Sequence, residues 1–380
     1  MKIWSRFVPA ATLVAVLGGA LAAGGHAGAS PPPSFPGGGH AVFVQTDNPT
    51  GNEVVAYSRA PGGQLAEVGT YATGGLGGQL GGSVVDHLAS EGSLTLDQGA
   101  NLLFAVNAGS NTLSVFDVRG DQLRLSETVP SGGSFPVSVA VSGGLVYVLN
   151  AGGGGSLQGF FVVGDRLWAL PGSSRALGLD PTATPPFTNS PGQVGFTPNG
   201  SQVVVTTKAN GSDIDVFGVG PFGELSPRPV VNAVPGTVPF GFAFTASGDL
   251  AVTEAGPDAL ATFRILWNGS IAPVASLADG QAATCWVTGV DGYLFASNAG
   301  SADVTAFRPS FQGQLSIAGT TATDPGTVDA AASPDGRDLY VQTGGLGIVD
   351  EFAVGPSGSL NRLGSVTVPG AVGGEGIAAS

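Results

Sequence analysis

The sequence has little positive charge and almost no cysteine. Lys and Arg number 13 against 27 Asp and Glu, which gives a formal net charge of −14. Nucleic acid is therefore a poor partner, because phosphate binding needs clustered cations. The single cysteine, Cys285, cannot form an intramolecular disulfide, and without a CxxC pair there is no signature of a structural zinc site. We expect Cys285 to be a small buried apolar residue.

Long segments free of glycine and proline are also missing. The chain has 64 Gly and 27 Pro, and inside a helix each Gly costs about 1 kcal/mol and each Pro about 3. A long-helical architecture is therefore excluded. Disorder is excluded as well, because 42% of the residues are hydrophobic and only 11% are charged. The composition predicts an all-β protein with many short strands and tight turns.

The N-terminal region has the pattern of an export signal. Lys2 and Arg6 come first, an apolar run follows over residues 7–23, and residues 27–29 (AGA) offer a cleavage site between small residues. The run falls short of the ~20 residues of a membrane-spanning helix. We expect residues 1–29 to be a secretory signal peptide, residues 30–39 (SPPPSFPGGG) a linker, and residues 40–380 the folded domain. The mature protein is expected to be secreted, monomeric and without a membrane partner.

An internal repeat indicates the architecture. Segments such as LLFAVNAGSNTLSVF and YLFASNAGSADVTAF combine a β-rich run, a Gly-centred turn and a second run. Seven copies begin at Ala41, Leu102, Leu145, Val203, Leu250, Tyr293 and Leu339. Each hairpin is flanked by one upstream and one downstream run, and residues 40–380 divide into units of about 49 residues, close to a propeller blade.

The repeat predicts a seven-bladed β-propeller with four antiparallel strands in each blade. A single β-sandwich would not explain seven copies. The first unit lacks its inner strand, whereas the chain ends with AVGGEGIAAS, which resembles an inner strand without partners. We therefore expect the C-terminal strand to complete the first blade.

One face of the predicted propeller carries the two longest insertions, residues 74–92 and 171–192. Long loops on a rigid scaffold are common binding sites. The candidate pocket consists of residues near the inner ends of strands on this face: His87, Asn107, Asn150, Lys208, Glu254, Thr284, Asn298 and Gln342.

Two of these residues carry charge near the predicted axis. Lys208 and Glu254 align in the segments TTKAN and VTEAG. They could bind a carbonyl and activate water, or form a plain ion pair that seals the funnel. His87 is a candidate general base because its ordinary pKa is near neutral, although a loop histidine can equally be structural.

The repeated asparagines have two interpretations. Asn107, Asn150 and Asn298 recur at one register, which is typical of residues that stabilise a turn. Together with Glu254 they could instead offer oxygen ligands to Ca²⁺, although no acidic triplet supports a metal site. We expect no cofactor.

Several segments resemble secreted members of the lactonase-family seven-bladed β-propellers. They are SEGSLTLDQGANLLFAVNAGSNTLSVF (90–116), VVVTTKAN (203–210), TEAG (253–256), AATCW (282–286) and the second NAGS (298–301). That family includes cytosolic 6-phosphogluconolactonases and carboxy-muconate lactonizing enzymes. The resemblance covers residues 40–380 and implies a site on the loop-rich face with a Glu, a His and arginines. Glu254 corresponds to the Glu and His87 is the candidate for the His, but the arginines have no counterpart and only Lys208 is available.

The expected function is therefore hydrolysis of a non-phosphorylated lactone outside the cytoplasm. In this hypothesis Glu254 activates water, Lys208 stabilises the oxyanion and His87 assists proton transfer, while Asn107, Asn150, Asn298, Gln342 and Thr284 bind the ligand. The alternative is a non-catalytic extracellular binding or scaffold protein, because propellers serve both purposes.

Overall fold

The computed structural model describes residues 40–380, which form seven antiparallel sheets. The predicted signal peptide and linker, residues 1–29 and 30–39, lie outside the described residues. Six sheets have four strands, and one has a fifth short strand at its edge. The seven-bladed propeller predicted from the repeat is confirmed.

The strands follow the chain from blade to blade. Blade 1 contains β1 (Ala41–Gln45), β2 (Glu53–Arg59), β3 (Leu65–Ala72) and β29 (Ile377–Ala379). Blade 2 contains β4 (Leu94–Asp97), β5 (Leu102–Asn107), β6 (Thr112–Arg119) and β7 (Gln122–Pro130). Blade 3 contains β8 (Pro136–Ser142), β9 (Leu145–Asn150), β10 (Ser156–Val163), β11 (Arg166–Ala169) and β12 (Arg175–Ala176).

Blades 4 to 7 repeat this order. Blade 4 contains β13 (Val194–Phe196), β14 (Gln202–Thr206), β15 (Asp213–Gly218) and β16 (Val230–Ala233), and blade 5 contains β17 (Pro239–Phe244), β18 (Leu250–Glu254), β19 (Ala259–Ile265) and β20 (Ile271–Ala278). Blade 6 contains β21 (Thr284–Val290), β22 (Tyr293–Asn298), β23 (Asp303–Pro309) and β24 (Leu315–Ala322). Blade 7 contains β25 (Thr327–Ala332), β26 (Asp338–Thr343), β27 (Ile348–Val354) and β28 (Leu360–Thr367). A 3₁₀ turn (Gly152–Gly154) and the short helix α1 (Pro186–Asn189) complete the fold.

Burial explains why the sequence is apolar inside the blades and mixed outside. The second strand of each blade, such as β5 (LLFAVN), is buried along all or nearly all of its length because sheets pack on both of its faces. The outermost strands, such as β24, are mostly exposed. The turn between β21 and β22 consists of Asp291 and Gly292, both with positive φ (50° and 78°), as a tight hairpin turn requires.

The C-terminal strand closes the ring, as the sequence predicts. β29 pairs with β1 through Val42 with Ala379 and Val44 with Ile377. Closure leaves blade 1 with the same four-stranded order as its neighbours, and it protects an edge that would otherwise be open. No helix within residues 40–380 has the length and hydrophobicity needed to cross a membrane.

Candidate functional site

The candidate site lies on the link face, by which we mean the face formed by the links between blades and by the turns between second and third strands. The two longest links are residues 73–93, between β3 and β4, and residues 170–193, which contain β12 and α1. Both reach the side chain of Lys208, which follows β14. The longest insertions therefore do meet on one face, as the sequence predicts.

Lys208 is buried beneath these two links. Its side-chain ammonium nitrogen Nζ is 2.5 Å from the carbonyl oxygen of Ala89, 2.7 Å from that of Phe187 and 2.8 Å from Oγ of Ser190. The Phe240 ring of blade 5 lies 5.0 Å from Nζ, a cation–π distance. Only 1% of the residue is exposed. Lys208 is thus covered by protein and does not face an open funnel.

A buried aspartate shapes the first of these links. The Asp86 carboxylate accepts hydrogen bonds from the backbone N–H groups of Leu88, Ala89 and Ser90 at 2.7 to 2.9 Å. The resulting turn, with Ala89 at a positive φ of 52°, carries the Ala89 carbonyl that Lys208 binds.

Burial and charge have opposite effects on the pKa values of Lys208 and Asp86. Burial lowers the pKa of Lys208 to about 7, while the negative charge of Asp86 acts in the opposite direction. Burial likewise raises the pKa of Asp86 to about 6, against its three backbone donors and Lys208. Lys208 can therefore change its protonation state near neutral pH.

A cavity of about 150 Å³ lies next to Lys208: Ser190, which binds Lys208, lines this cavity, whereas Lys208 itself does not. Its lining includes Ser190, Asn189 and Asn210, together with the glycine turn Gly152–Gly154. Asp180 is the only charged residue that lines it, and hydrogen bonds from Thr182 lower the pKa of this carboxylate. The cavity is smaller than the roughly 300 to 1,000 Å³ of drug-sized sites, so it fits a small ligand.

A larger groove lies on the opposite face of the propeller. It measures about 520 Å³ and is lined by hairpin-turn and strand-end residues of blades 5 and 6, with Asp291 as its only charged residue. Each of the two is lined by a single charged residue, and we place the candidate site at the smaller cavity because its lining residue Ser190 binds the buried Lys208.

Strand pairing corrects the predicted equivalence of Lys208 and Glu254. Thr206 and Thr253 are the equivalent residues, because each hydroxyl accepts an inner-strand N–H and donates to a carbonyl of the next blade. Glu254 therefore corresponds to Thr207, and Lys208 belongs to a turn with one additional residue, at a positive φ of 53°. The two charged side chains have different hydrogen-bond partners: Ala89, Phe187 and Ser190 for Lys208, and Ser276 for Glu254.

Glu254 opens onto a different surface. Its Oε2 accepts a hydrogen bond from the Ser276 hydroxyl at 3.3 Å, and it lines a groove of about 370 Å³ with Thr237, Phe263 and other residues of blade 5. Burial raises the pKa of the Glu254 carboxyl, and the hydrogen bond from Ser276 opposes this shift. The structure does not bring Glu254 to Lys208, either as an ion pair or as a second catalytic group in one cavity.

Two of the predicted ligand-binding asparagines, Asn298 and Asn107, form hydrogen bonds with residues in and around the turns of their own blades. Asn298 donates from Nδ2 to Asp303 and Thr305 and accepts from the Thr284 hydroxyl at 2.7 Å. Asn107 makes the same pattern with Thr112, Ser114 and Thr73. Both asparagines and Thr284 are fully buried, so their polar atoms are directed to the fold and away from the cavity.

Asn150, Gln342 and His87 differ from this pattern because each has a buried polar atom without a hydrogen-bond partner. The atoms are Oδ1 of Asn150, Oε1 of Gln342 and Nδ1 of His87. The His87 ring covers Gly373 of the C-terminal segment, where a side chain would collide with it. Burial lowers the pKa of His87, and the ring is not among the hydrogen-bond partners of Lys208 or Glu254.

Four more buried carboxyl groups surround the axis. Asp47, Glu91, Asp329 and Glu375 are at most 6% exposed. Burial raises the pKa of Asp47 to about 8 and that of Asp329 to about 7, and it raises those of Glu91 and Glu375 well above the ordinary value. Within residues 40–380, no three His, Cys, Asp or Glu side chains are arranged to hold a metal ion.

Sequence reasoning missed Ser190, Asp86 and the axial carboxyl groups. Ser190 lies in a link without periodicity, and its approach to Lys208 depends on tertiary packing. The axial carboxyl groups come from both ends of the chain, from Asp47 to Glu375. The one available signal was the acidic content of residues 86–91 (DHLASE) within a glycine-rich insertion.

Comparisons with known proteins identify the fold. No family model matches the chain, and no curated protein matches it. Among solved structures, a candidate 6-phosphogluconolactonase from Bacteroides uniformis aligns with a TM-score of 0.73 and 18% identity over 90% of this chain and 99% of its own. A second one, from Bacteroides fragilis, gives 0.70 and 18% over 92% and 99%.

A third similar structure is that of a periplasmic protein. The periplasmic gluconolactonase of Pseudomonas aeruginosa aligns with a TM-score of 0.66 and 17% identity over 90% of this chain and 98% of its own. At these identities the likeness establishes the fold and leaves the reaction open. The chain is a seven-bladed β-propeller with a lactonase-like fold.

Proposed function

We propose that this protein is an exported hydrolase that opens a small, non-phosphorylated lactone at the link face. The observation that carries the proposal is the cavity of about 150 Å³ beside Lys208, a lysine whose pKa burial lowers to about 7. A titratable nitrogen that is hydrogen-bonded to a serine lining a small cavity is suited to acyl transfer, which needs a proton acceptor and a group that stabilises charge on the carbonyl oxygen.

The charge of the cavity supports a neutral substrate. A phosphate-bearing lactone would need cations around it, whereas the only charged residue lining the cavity is Asp180. Similar structures include a protein named as a periplasmic gluconolactonase, which is consistent with lactone chemistry outside the cytoplasm. Glu254 has no part in this proposal because it lines a separate groove.

The test is hydrolysis of a panel of five- and six-membered lactones, neutral and phosphorylated, by the mature protein. We expect turnover of at least one neutral lactone and a loss of roughly 100-fold in Lys208→Met, the typical effect of removing a general base. Ser174→Ala, an exposed serine in the same link, is the matched control and should retain full activity. No turnover on any lactone would overturn the proposal.

The second candidate is a non-catalytic binding propeller. It is favoured by the complete hydrogen bonding of Lys208, whose three partners all come from the protein. In that case lactones or related sugars would raise the melting temperature without being hydrolysed, and Lys208→Met would lower the melting temperature of the free protein.

Export is proposed from residues 1–29 alone. Expression of the full chain followed by N-terminal sequencing of the protein outside the cytoplasm tests it. We expect a mature N-terminus near residue 30, and full-length protein retained in the cytoplasm would contradict export.

A further inference from the structure

We propose that Ser190 is a nucleophile and Lys208 its general base, so that hydrolysis passes through an acyl-enzyme. The substrate class rests on the proposed function, whereas the reactivity of Ser190 can be tested without it. A serine activated by a lysine is a known variant of the catalytic triad.

The hydrogen bonds of Lys208 distinguish Ser190 from its other two partners. The carbonyl oxygens of Ala89 and Phe187 can only accept, so Nζ must donate to both in either protonation state. A neutral amine has two N–H groups and one lone pair. With both N–H groups directed to the carbonyls, the lone pair is left for Ser190 Oγ, 2.8 Å away.

This arrangement accommodates both states of the lysine without rearrangement. When Lys208 is charged, its third N–H donates to Ser190 Oγ. When Lys208 is neutral, the Ser190 hydroxyl donates to Nζ. A base that takes a proton from a nucleophile and later returns it needs this property.

The backbone fixes both residues in place. Ser190 directly follows α1, and its N–H donates to the Pro186 carbonyl at 2.9 Å. The left-handed backbone of Lys208 is fixed by hydrogen bonds from its own N–H to Pro239 and from Ser212 to its carbonyl. A non-glycine residue in this conformation carries a conformational cost that the surrounding structure must offset. Ser190 lines the cavity and Lys208 does not, so Ser190 is the member of the pair that a ligand in the cavity would meet.

The charged and titratable groups around Lys208 are few. Burial lowers the pKa of Lys208, while Asp86 and Cys285 act in the opposite direction. The Cys285 thiol is buried and its pKa is raised to about 12, so it stays protonated at neutral pH. The titration of this site is therefore governed by Lys208 and Asp86.

The reaction balances with water as the only co-reactant. Ser190 Oγ bonds to the lactone carbonyl carbon as its proton passes to Nζ, and the carbonyl π electrons move to oxygen. Collapse breaks the ring C–O bond, and the ring oxygen takes the proton from Lys208, which leaves an open-chain hydroxyacyl ester on Ser190. Water then attacks the ester carbonyl and gives its proton to Lys208. Release of the hydroxy acid returns that proton to Ser190 Oγ.

A purely structural interpretation makes different predictions. In that interpretation Lys208 only ties the two links together, and Ser190 supplies one acceptor. Removal of either side chain would then lower the melting temperature, and Ser190 would be no more reactive than any other serine.

The experiment treats the mature protein with a small alkyl fluorophosphonate, which releases fluoride as a serine oxygen bonds to phosphorus, and maps the adduct by peptide mass spectrometry. We expect modification of Ser190 at a rate that rises with pH through about 7, as Lys208 loses its proton. Lys208→Met should slow labelling by roughly 100-fold. Ser190→Ala should remove the adduct, and Ser174→Ala should not.

Parallel lactone assays separate this proposal from the proposed function. Labelling of Ser190 that depends on Lys208, without turnover of any lactone, supports the pair and overturns the lactonase proposal. Lactone turnover that is equal in wild type and Ser190→Ala overturns the pair and leaves the lactonase proposal standing. Absence of the adduct in correctly folded wild-type protein also overturns the pair. Because Ser190→Ala keeps both carbonyl partners of Lys208, it provides a folded variant if Lys208→Met does not fold.

Discussion

Lys208 and Glu254 follow similar strands in neighbouring blades, yet their surroundings have little in common. Lys208 lies in a turn with one additional residue, is covered by two long links and adjoins a cavity. Glu254 ends β18, is followed by a turn of the ordinary length, and binds one serine of its own blade. The strands supply the same frame in both blades. The extra residue and the links therefore account for the different surroundings of the two side chains.

The largest expected effect comes from removing the aspartate that shapes the first link. In Asp86→Ala the N–H groups of Leu88, Ala89 and Ser90 lose their acceptor, so the Ala89 carbonyl no longer holds Lys208. If the lactonase proposal holds, we expect a loss of roughly 100-fold in kcat/KM, as for a displaced general base. The measurement is steady-state lactone hydrolysis, with the melting temperature as a control for folding.

Asp86→Asn refines the same test. It keeps an oxygen acceptor for the link but removes the charge that raises the pKa of Lys208. The rise in rate with pH should then begin at a lower pH than in wild type. An unchanged pH profile would show that Lys208 is not the titrating base.

The second expected effect is on stability, at the position in blade 6 that corresponds to Glu254. Asn298→Ala leaves Thr305 and Asp303 without a buried amide partner, and an unsatisfied buried polar group costs about 1–3 kcal/mol. We expect the free energy of unfolding in urea to fall by that amount with lactone turnover unchanged. A loss of turnover without a loss of stability would indicate that Asn298 binds the ligand, as the sequence predicts.

The architecture was predictable from the sequence, whereas the site was predictable only in part. The strand and turn pattern recurs seven times, and the C-terminal segment AVGGEGIAAS lacks partners within its own unit, so both the blade number and the closure by β29 could be predicted. Lys208 stands out as the only lysine after residue 29. The register of Lys208 and Glu254 could not be predicted, because aligning TTKAN with VTEAG hides the additional residue of the turn.

Ser190 and the axial carboxyl groups could be identified only from the structure, for a different reason. Ser190 meets Lys208 because α1 ends above the axis, and a four-residue helix in an irregular link has no repeating pattern. Asp47 and Glu375 meet because β29 closes the ring: the Glu375 N–H donates to the Asp47 carboxylate at 2.8 Å. Contacts between the two ends of a chain leave no local signal in the sequence.

The third prediction concerns the pH dependence of stability. The axial carboxyl groups have raised pKa values in the folded protein, so the folded state binds more protons than the unfolded state above about pH 4. Stability should therefore fall as pH rises from about 4 to about 8, by about 1.4 kcal/mol per pH unit for each group that stays protonated only when folded.

Lys208 contributes with the opposite sign. Its pKa is lowered in the folded protein, so its contribution to stability increases with pH, but only above about 7. Glu375→Gln retains an oxygen acceptor for the N–H groups of Gly92 and Ser93 and should flatten the fall in stability. Chemical denaturation at a series of pH values measures both slopes, and equal slopes in wild type and variant would contradict the prediction.

The smallest expected effect is that of Glu254→Gln. The glutamine amide can still accept from Ser276, and the groove that Glu254 lines is separate from the cavity beside Lys208. We expect lactone turnover within about twofold of wild type and a stability change of about 1 kcal/mol or less, the size of one ordinary hydrogen bond. A large loss of turnover with normal folding would show that Glu254 takes part in the reaction. The comparison would then be reversed, because the position without covering links would be the one that acts on the substrate.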